Sequence, residues 1–377
     1  MSKNVKRSKG KLQRYTGTII LLLLSAGCGI LMAYIDIAYG IERSSDESIV
    51  SIISFFLMLL AAMFIQIIIH ESGHLVFGLL SGYRFSSFRI MSFMWIKEDG
   101  RIKLKRLSLA GTGGQCLMVP PDPVDGKIPV VLYNLGGPLM NIITGCIFLA
   151  IGLAASYIPV FSPLVWLLAL TGLLSAIING VPVRMGTVDN DGYNAFSLVR
   201  NPDALRSFWI QMKVNEQTSK GIRLKDMPDE WFIVPSDEKM KNSMISAMGV
   251  FACNRLMDAH RLEEADELMA HLLEIDSGMV GLYRNLMICD QICVKLIMGH
   301  SRAAVDAMLT KEQRKFMKSM KQFPSVVRTE YIYTLLAEKD VLKAKDIERQ
   351  FEKCAQTYPY PNEIQSEREL MELAACP

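Results

Sequence analysis

The sequence predicts a mostly α-helical protein with two parts, a polytopic membrane domain followed by a soluble α-helical domain. Half of the 377 residues are hydrophobic, and this apolar content is concentrated between residues 16 and 183. Within that region, four runs reach the length of about 20 apolar residues that a helix needs to cross a bilayer. From about residue 201 onward, apolar residues instead recur at helical spacing among charged ones, which is typical of soluble amphipathic helices.

The first apolar run follows a basic N-terminus, residues 1–15, as it would in a secretory signal peptide. No small-residue cleavage site follows cleanly before Asp36, so we expect this run to remain as the first span of the membrane domain, residues 16–200. The four predicted spans cover residues of about 16–35, 49–80, 128–158 and 160–183.

The charges flanking these spans predict the topology. The segment between the second and third spans carries eight basic residues, whereas the loop between the first and second has Glu42, Asp46 and Glu47 against the single Arg43. Because cytoplasmic loops are enriched in Lys and Arg, both termini and the central segment are expected in the cytoplasm. The sequence therefore predicts a multi-pass protein of the cell membrane, with the lipid bilayer as a partner.

The central cytoplasmic segment predicts a β-hairpin at the membrane face. Residues 85–97 and 101–109 are rich in β-forming residues that alternate in polarity around the turn Glu98-Asp99-Gly100. The glycines and prolines of residues 111–123 predict irregular backbone. An edge strand of the hairpin could hold an extended substrate by strand addition, and a structural support at the membrane surface is an equal alternative.

The soluble domain, residues 201–377, contains two similar stretches, 254–276 and 334–358, that resemble degenerate tetratricopeptide repeats. An unrelated α-helical fold is an equal alternative. We expect this domain to bind a regulatory protein, the soluble part of a substrate, or a second copy of the chain. The net charge of only +3, with no basic patch interleaved with aromatic residues, excludes nucleic acid as a partner. The eight cysteines form no CxxC pair and predict no disulfide framework.

A motif for metal chemistry lies in the second span, where the sequence reads H-E-x-x-H from His70 to His74. Residues four apart share one face of a helix, so both imidazoles can bind one metal, and Glu71 can accept a proton from a water that the metal activates. These are the only histidines in the membrane half, and ionisable residues in a span are costly without a partner. The alternative is a pair of structural histidines beside an unrelated glutamate.

A catalytic zinc needs a third protein ligand and one open position. A metzincin would have Gly and His at the positions of Phe77 and Leu80, and a thermolysin-like enzyme would supply a nearby helical Glu, whereas the next glutamate is Glu98 in the predicted hairpin. Both families fit poorly. The remaining acidic candidates follow the fourth span, at Asp189 and Asp191.

The order of the motifs in residues 50–195 resembles that of the site-2 protease family of intramembrane zinc metallopeptidases. These motifs are H-E-x-G-H at His70, G-P-x-x-N at Gly137, N-x-x-P at Asn179 and D-G at Asp191. The resemblance implies zinc as the cofactor, Glu71 as the catalytic base, and Asn179 as a residue that binds the substrate backbone. It also implies three metal ligands, namely His70, His74 and Asp191.

One departure from the family pattern leaves the third ligand open. The insert between Pro182 and Asp191 is longer than in the compact form of the motif, so Asp189 is an alternative ligand. Gly192 favours Asp191, because a glycine permits the backbone turn that would aim that carboxylate. Cys116, in a Gly-rich loop, could also approach the metal, although a structural role is favoured for this lone thiol.

The function implied is that of a zinc metalloendopeptidase that hydrolyses a peptide bond of a membrane-embedded or membrane-associated protein or peptide precursor. One rival is a catalytically silent membrane binding or regulatory protein on the same fold, against which the intact Glu71 counts. Another is a divalent-metal transporter, which would need polar residues along several spans.

Overall fold

A computed structural model describes residues 27, 30, 45–98, 100–107, 113–154, 161–182 and 189–375. The predicted first span lies outside these residues, apart from Gly27 and Ile30. The chain divides into two compact units, one comprising Met1–His70 and Gly137–Tyr193 and the other Glu71–Gly136 and Asn194–Pro377. The predicted domain boundary near residue 200 stays a prediction.

Within the described residues, three helices are long and apolar enough to cross a membrane. They correspond to the second, third and fourth predicted spans. Apolar side chains such as Leu57, Leu60 and Ile147 are exposed on their surfaces, as expected of helices that face lipid. The helices are α1 (Ser45–Leu80), α2 (Val130–Ala154) and α3 (Phe161–Gly180).

Close helix packing inside the first unit depends on small residues. Gly145 of α2 lies against Leu173 of α3, and a Cβ added at Gly145 would approach that side chain to 3.1 Å. Ala62 of α1 is fully buried with Leu167 of α3. Small residues at such positions bring helix backbones together where lipid supplies no hydrophobic driving force between helices.

The central segment forms a four-stranded antiparallel sheet rather than a simple hairpin. Its turn at Glu98–Arg101 is where the sequence predicts it, since these two residues pair at the hairpin end. The strands, in the spatial order β3-β2-β1-β4, are β1 (Arg84–Ile90), β2 (Phe93–Glu98), β3 (Arg101–Arg106) and β4 (Gly114–Val119).

Two details of the hairpin prediction are wrong. The single strand predicted over 85–97 is broken at Met91, whose backbone has a φ of 54°, so that β1 and β2 fold against each other. The predicted irregular stretch includes a strand, β4, which pairs with β1. Its later residues are strand formers with buried side chains at Cys116, Met118 and Val119, and the glycines before them obscured this pattern in the sequence.

Most of the rest of the described chain is helical. Asn and Asp side chains that accept backbone N–H bonds begin several of these helices, for example Asn242 before α6 and Asp340 before α12. The helices are α4 (Asp191–Arg200), α5 (Pro202–Ser219), α6 (Ser243–Asp258), α7 (Leu262–Glu274), α8 (Gly281–Ile297), α9 (Arg302–Asp306), α10 (Lys311–Ser319), α11 (Pro324–Ile332), α12 (Val341–Thr357) and α13 (Pro361–Ala375).

The two repeat-like stretches each contain a helical segment, a turn and a second helix. The first comprises the last residues of α6 and the whole of α7. The second comprises a π-helical turn, Tyr333–Glu338, and α12. Around the second stretch, α8, α11, α12 and α13 bury a shared core that includes Ile332 and Phe351. The resemblance to tetratricopeptide repeats is not confirmed.

Candidate metal centre

The H-E-x-x-H motif lies on the uninterrupted helix α1, with His70 and His74 one turn apart. In the first unit, the Nε2 atom of His70 lies 3.1 Å from the Oδ2 atom of Asp191. His70, His74 and Asp191 each offer one ligand atom, and these three atoms lie within 4.8 Å of one another. Two imidazoles and one carboxylate are a common donor set of catalytic zinc, so these residues fit that metal.

A chain of hydrogen bonds between buried amides fixes the ring of His70. The backbone carbonyl of Leu168 accepts a bond of 2.8 Å from the Nε2 atom of Gln66. The Oε1 atom of Gln66 therefore faces Asn141, and it accepts a bond of 2.7 Å from the Asn141 Nδ2 atom. The Oδ1 atom of Asn141 is left to face the Nδ1 atom of His70, at 2.7 Å.

This chain of bonds has only one consistent direction, because the carbonyl of Leu168 can only accept. Each amide is thereby oriented, and the Asn141 oxygen requires a proton on the Nδ1 atom of His70. The unprotonated nitrogen is then Nε2, the atom near Asp191. Gln66 and Asn141 are almost completely buried, so water does not compete for the hydrogen bonds that orient the two amides. Partners of this kind orient a metal-binding histidine and raise its basicity.

The ring of His74 is fixed in the same way by a backbone carbonyl. Its Nδ1 atom lies 2.8 Å from the backbone carbonyl oxygen of Tyr133. A carbonyl can only accept, so the proton again lies on Nδ1. Tyr133 is itself held, since its hydroxyl donates to the carbonyl of Cys116 at 2.8 Å and its ring stacks on Tyr83. Both histidines thus present Nε2 in the form that binds a metal.

Strand β4 passes directly beside Glu71. A Cβ added at Gly114 would lie 2.5 Å from the Cγ atom and 2.7 Å from the Oε1 atom of Glu71, so only glycine fits without displacing the carboxylate. The buried Arg89 donates to the carbonyls of Met91 and Gly114, and it thereby holds the start of β4. Burial lowers the pKa of Arg89, and the negative charge of Glu71 acts in the opposite direction.

Cys116 follows Gly114 on this strand, but it does not belong to the group of potential metal ligands. Its side chain is buried, and both burial and the charge of Glu71 raise the pKa of its thiol. The structure therefore favours the structural role for this cysteine.

The approach of α2 to α1 also requires glycine. A Cβ at Gly137 would lie 2.5 to 2.7 Å from ring atoms of His70. A Cβ at Gly136 would lie 2.6 Å from the carbonyl oxygen of Gly73. The close contact between Gly137 and His70 therefore explains why the G-P-x-x-N motif begins with glycine.

Asp191 is the first residue of α4, and Asn190 fixes its backbone. The Nδ2 atom of Asn190 donates to the carbonyl of Ile178 in the last turn of α3 and to that of Val181 just after the helix, at 2.8 and 2.6 Å. Its Oδ1 atom accepts from the backbone N–H of Tyr193, as a helix cap does. Asn190 therefore ties the start of α4 to the end of α3.

The structure brings Asp191 rather than Asp189 into the group of potential ligands. The backbone turn that the sequence analysis expected at Gly192 is wrong. Gly192 is helical and has no positive φ, so it forms no turn of the kind that only glycine allows. A Cβ at this position would instead lie 2.1 Å from the carbonyl oxygen of Gly180. Glycine is needed because the two backbones touch.

A comparison with protein-family models decides the family, since the model for peptidase family M50 matches residues 58–343. The chain belongs to peptidase family M50, the site-2 protease family. The match runs well past residue 195, the end of the resemblance seen in the sequence, and into the helices that follow α4. Searches of curated proteins and of solved structures gave no significant match.

M50 peptidases are membrane-embedded and in general zinc-dependent, which agrees with the three apolar helices and the donor set found here. In this M50 chain, Asn179 lies near the C-terminal end of α3, and its Nδ2 atom donates to the carbonyl of Ser175 in the same helix. Its role in binding substrate stays a prediction.

Sequence reasoning missed Gln66, Arg89 and Asn190. Gln66 carried one signal that could have identified it, since it is the only amide in the otherwise apolar run that precedes His70. Asn190 carried a weaker signal, since asparagine is a common residue at the start of a helix. The bond from Arg89 to Gly114 and the bonds from Asn190 to Ile178 and Val181 join residues that are distant in the sequence, which a local pattern does not reveal.

We predict that Gln66→Leu lowers zinc affinity, activity or both by about 10- to 100-fold, the usual effect of losing a residue that orients a metal ligand. Leucine has a similar volume but cannot orient the Asn141 amide. Zinc affinity is measured by competition with a chelator. Thr144→Val is the matched control, since among the described residues the hydroxyl of Thr144 bonds only to the carbonyls of Met140 and Asn141 in its own helix. Equal affinities and rates in both variants would contradict the role of Gln66.

We also predict that Gly114→Ala reduces peptide cleavage at least tenfold while zinc remains bound, because the three atoms nearest the added methyl all belong to Glu71, which is displaced. Gly281→Ala is the control, since a Cβ at that position meets no atom of the other described residues within 4 Å, its chain neighbours and own helix backbone apart. Zinc content and cleavage rate are measured on the same preparations. A Gly114→Ala variant with the wild-type rate would show that this contact does not position the base.

Proposed function

We propose that this M50 peptidase is a zinc-dependent intramembrane endopeptidase. It would hydrolyse a peptide bond of a membrane-embedded or membrane-associated protein or peptide precursor. One observation carries the proposal. Both histidines of a membrane-helix H-E-x-x-H motif have Nδ1 facing an acceptor oxygen, and the Nε2 atom of His70 lies 3.1 Å from the carboxylate of Asp191.

In this proposal His70, His74 and Asp191 hold the metal. Bound zinc would supply a Lewis acid that lowers the pKa of a water and polarises the scissile carbonyl. Glu71 follows the first ligand on the same helix, and its carboxylate accepts the proton of the attacking water. It then delivers that proton to the nitrogen of the departing amine, so the carboxylate ends the cycle as it began.

The surroundings of Glu71 suit a catalytic base that must be held in one orientation. The residue is only 9% exposed, and Gly114 confines its side chain on one side. A confined carboxylate loses little conformational freedom when the reacting atoms come together. This prior orientation lowers the activation barrier of the reaction. Arg89 keeps β4 in place and so supports this arrangement.

Substrate binding is assigned to Asn179 and, as one of two alternatives, to an edge of the sheet. Asn179 lies in the last turn of α3, one residue before Gly180, whose backbone contacts Gly192 beside Asp191. Its side-chain amide could exchange the bond to Ser175 for one to a substrate backbone. A peptide bond in a helix must first be unwound, and strand addition at a sheet edge would stabilise the extended form.

We place the enzyme in the cell membrane as a multi-pass protein with both termini in the cytoplasm, on the strength of the charge pattern. The outer face of β2 and β3 supports a position of the sheet at the membrane surface. It exposes Phe93, Trp95, Ile102 and Leu104, with Arg106 over the ring of Phe93. Apolar and aromatic side chains beside basic ones suit the interface with anionic lipid.

The soluble helices are proposed to bind a regulatory protein or the soluble part of the substrate. The rival function, a silent binding or regulatory protein on this fold, would retain membrane localisation and ligand binding without turnover. Only a measurement of cleavage separates the two.

The test compares wild type with Glu71→Gln. Glutamine has nearly the same shape but cannot accept the proton, so zinc content should be unchanged while cleavage falls by at least about 100-fold. Membrane peptides that accumulate in cells carrying each form identify the substrate. Glu98→Gln is the control, because it removes a carboxylate that pairs with Lys103 in the sheet. A Glu71→Gln enzyme with undiminished turnover rules out the mechanism, and a wild type without turnover supports the silent rival.

A further inference from the structure

A cavity of about 250 Å³ lies within the soluble helical part, among residues of α5, α6, α8, α11 and α13. It is separate from the proposed metal ligands, none of which lines it. Much of its wall is apolar, with Phe251, Leu286 and Phe323 among the lining residues. This volume suits one or two amino-acid residues rather than a folded partner.

The polar part of the wall holds more carboxylates than guanidinium groups. Arg328, only 1% exposed, donates to Asp290 at 2.5 Å and to Glu367 at 2.6 Å. Arg223 donates to Asp258 at 2.6 Å. The charged residues that line the cavity are two arginines, Arg223 and Arg328, and four acids, Asp258, Asp290, Glu363 and Glu367.

Within the described part of the chain, two polar atoms of residues that line this cavity have no hydrogen-bond partner. One is a donor, the Nη1 atom of Arg328, and the other is an acceptor, the Oδ1 atom of Asn362. The Nδ2 atom of Asn362 donates to the carbonyl of Ile222, which fixes the orientation of the amide. Unpaired buried groups are rare in native proteins, and here a donor and an acceptor belong to two residues that line the same cavity.

We propose that this cavity binds the free amino-terminal residue of a peptide, with an apolar side chain. The α-ammonium group donates to Asn362 and to the carboxylate of Glu363. The first peptide carbonyl accepts from the Nη1 atom of Arg328, and the apolar side chain lies against the phenylalanine walls.

Other ligand classes fit less well. The four carboxylates disfavour an anion, and the two guanidinium groups in the wall disfavour a metal ion. The α-ammonium group of a peptide can donate to the Oδ1 atom of Asn362, and its first carbonyl can accept from the Nη1 atom of Arg328. The ammonium also adds a positive charge to a wall in which carboxylates outnumber guanidinium groups. Burial raises the pKa of Glu363 to about 7, and a bound ammonium would hold that carboxyl ionised.

The site concerns recognition rather than hydrolysis, and it goes beyond the proposed function. Cleavage of a peptide bond creates a new free amino terminus, which is the chemistry that this cavity fits. A site of this kind would let the soluble helices bind a product of cleavage or a peptide with such a terminus from another source.

The test uses the full-length protein in detergent and isothermal titration calorimetry. L-leucinamide and the peptide Leu-Ala are expected to bind. N-acetyl-L-leucinamide, which lacks the ammonium, should bind at least tenfold more weakly, and free L-leucine should also be weaker because its carboxylate adds negative charge. Stronger binding by leucine than by Leu-Ala would assign the cavity to a free amino acid and overturn the peptide proposal.

Glu363→Gln should weaken L-leucinamide binding about tenfold or more, because it removes a charged acceptor, while glutamine can still accept from the Tyr358 hydroxyl. Glu352→Gln is the matched control, since Glu352 pairs with Arg368 and does not line the cavity. Binding should also persist in Glu71→Gln, so that failure here is distinct from failure of the proposed function. No binding by L-leucinamide, equal binding of its acetylated form, or an unchanged Glu363→Gln variant would each overturn the proposal.

Discussion

The hydrogen bond between His70 and Asn141 is the interaction on which the proposed metal centre most depends. An imidazole in an apolar span can place its proton on either nitrogen, and only one choice leaves Nε2 to bind a metal. The Asn141 oxygen imposes that choice at 2.7 Å, and Gln66 and the carbonyl of Leu168 determine which way the Asn141 amide points. Because leaving any of these buried groups unpaired costs about 1–3 kcal/mol, the chain of bonds resists reorientation.

The second constraint is close approach of backbones, and glycine satisfies it at each place. Gly137 lies against the ring of His70, Gly114 against the carboxylate of Glu71, and Gly192 against the backbone of Gly180. A Cβ at any of them would come within 3 Å of another atom. The helices and the strand that carry the site can therefore approach one another only with these glycines, and the motifs G-P-x-x-N and D-G follow from that geometry.

The sequence predicted what depends on local pattern. The three described spans follow from apolar length, and the shared face of His70 and His74 follows from their spacing. Strand β4 was missed because its leading glycines masked a short run of strand formers, and its pairing with β1 is long-range. The purpose of Gly192 was misjudged for a related reason, since the contact with Gly180 arises only in the folded chain. Gln66 and Asn190 act through partners distant in the sequence, which one sequence does not reveal.

The claim that Asp191 completes a three-ligand zinc site is tested most directly by the zinc content of two variants. Asp191→Ala and Asp189→Ala remove acids two residues apart, but only Asp191 belongs to the group with His70 and His74. Elemental analysis after gentle purification should show about one zinc per chain in wild type and Asp189→Ala, and a large loss in Asp191→Ala, because two protein ligands do not form a stable catalytic site. Full zinc occupancy in Asp191→Ala, or the large loss in Asp189→Ala instead, would contradict this account of the site.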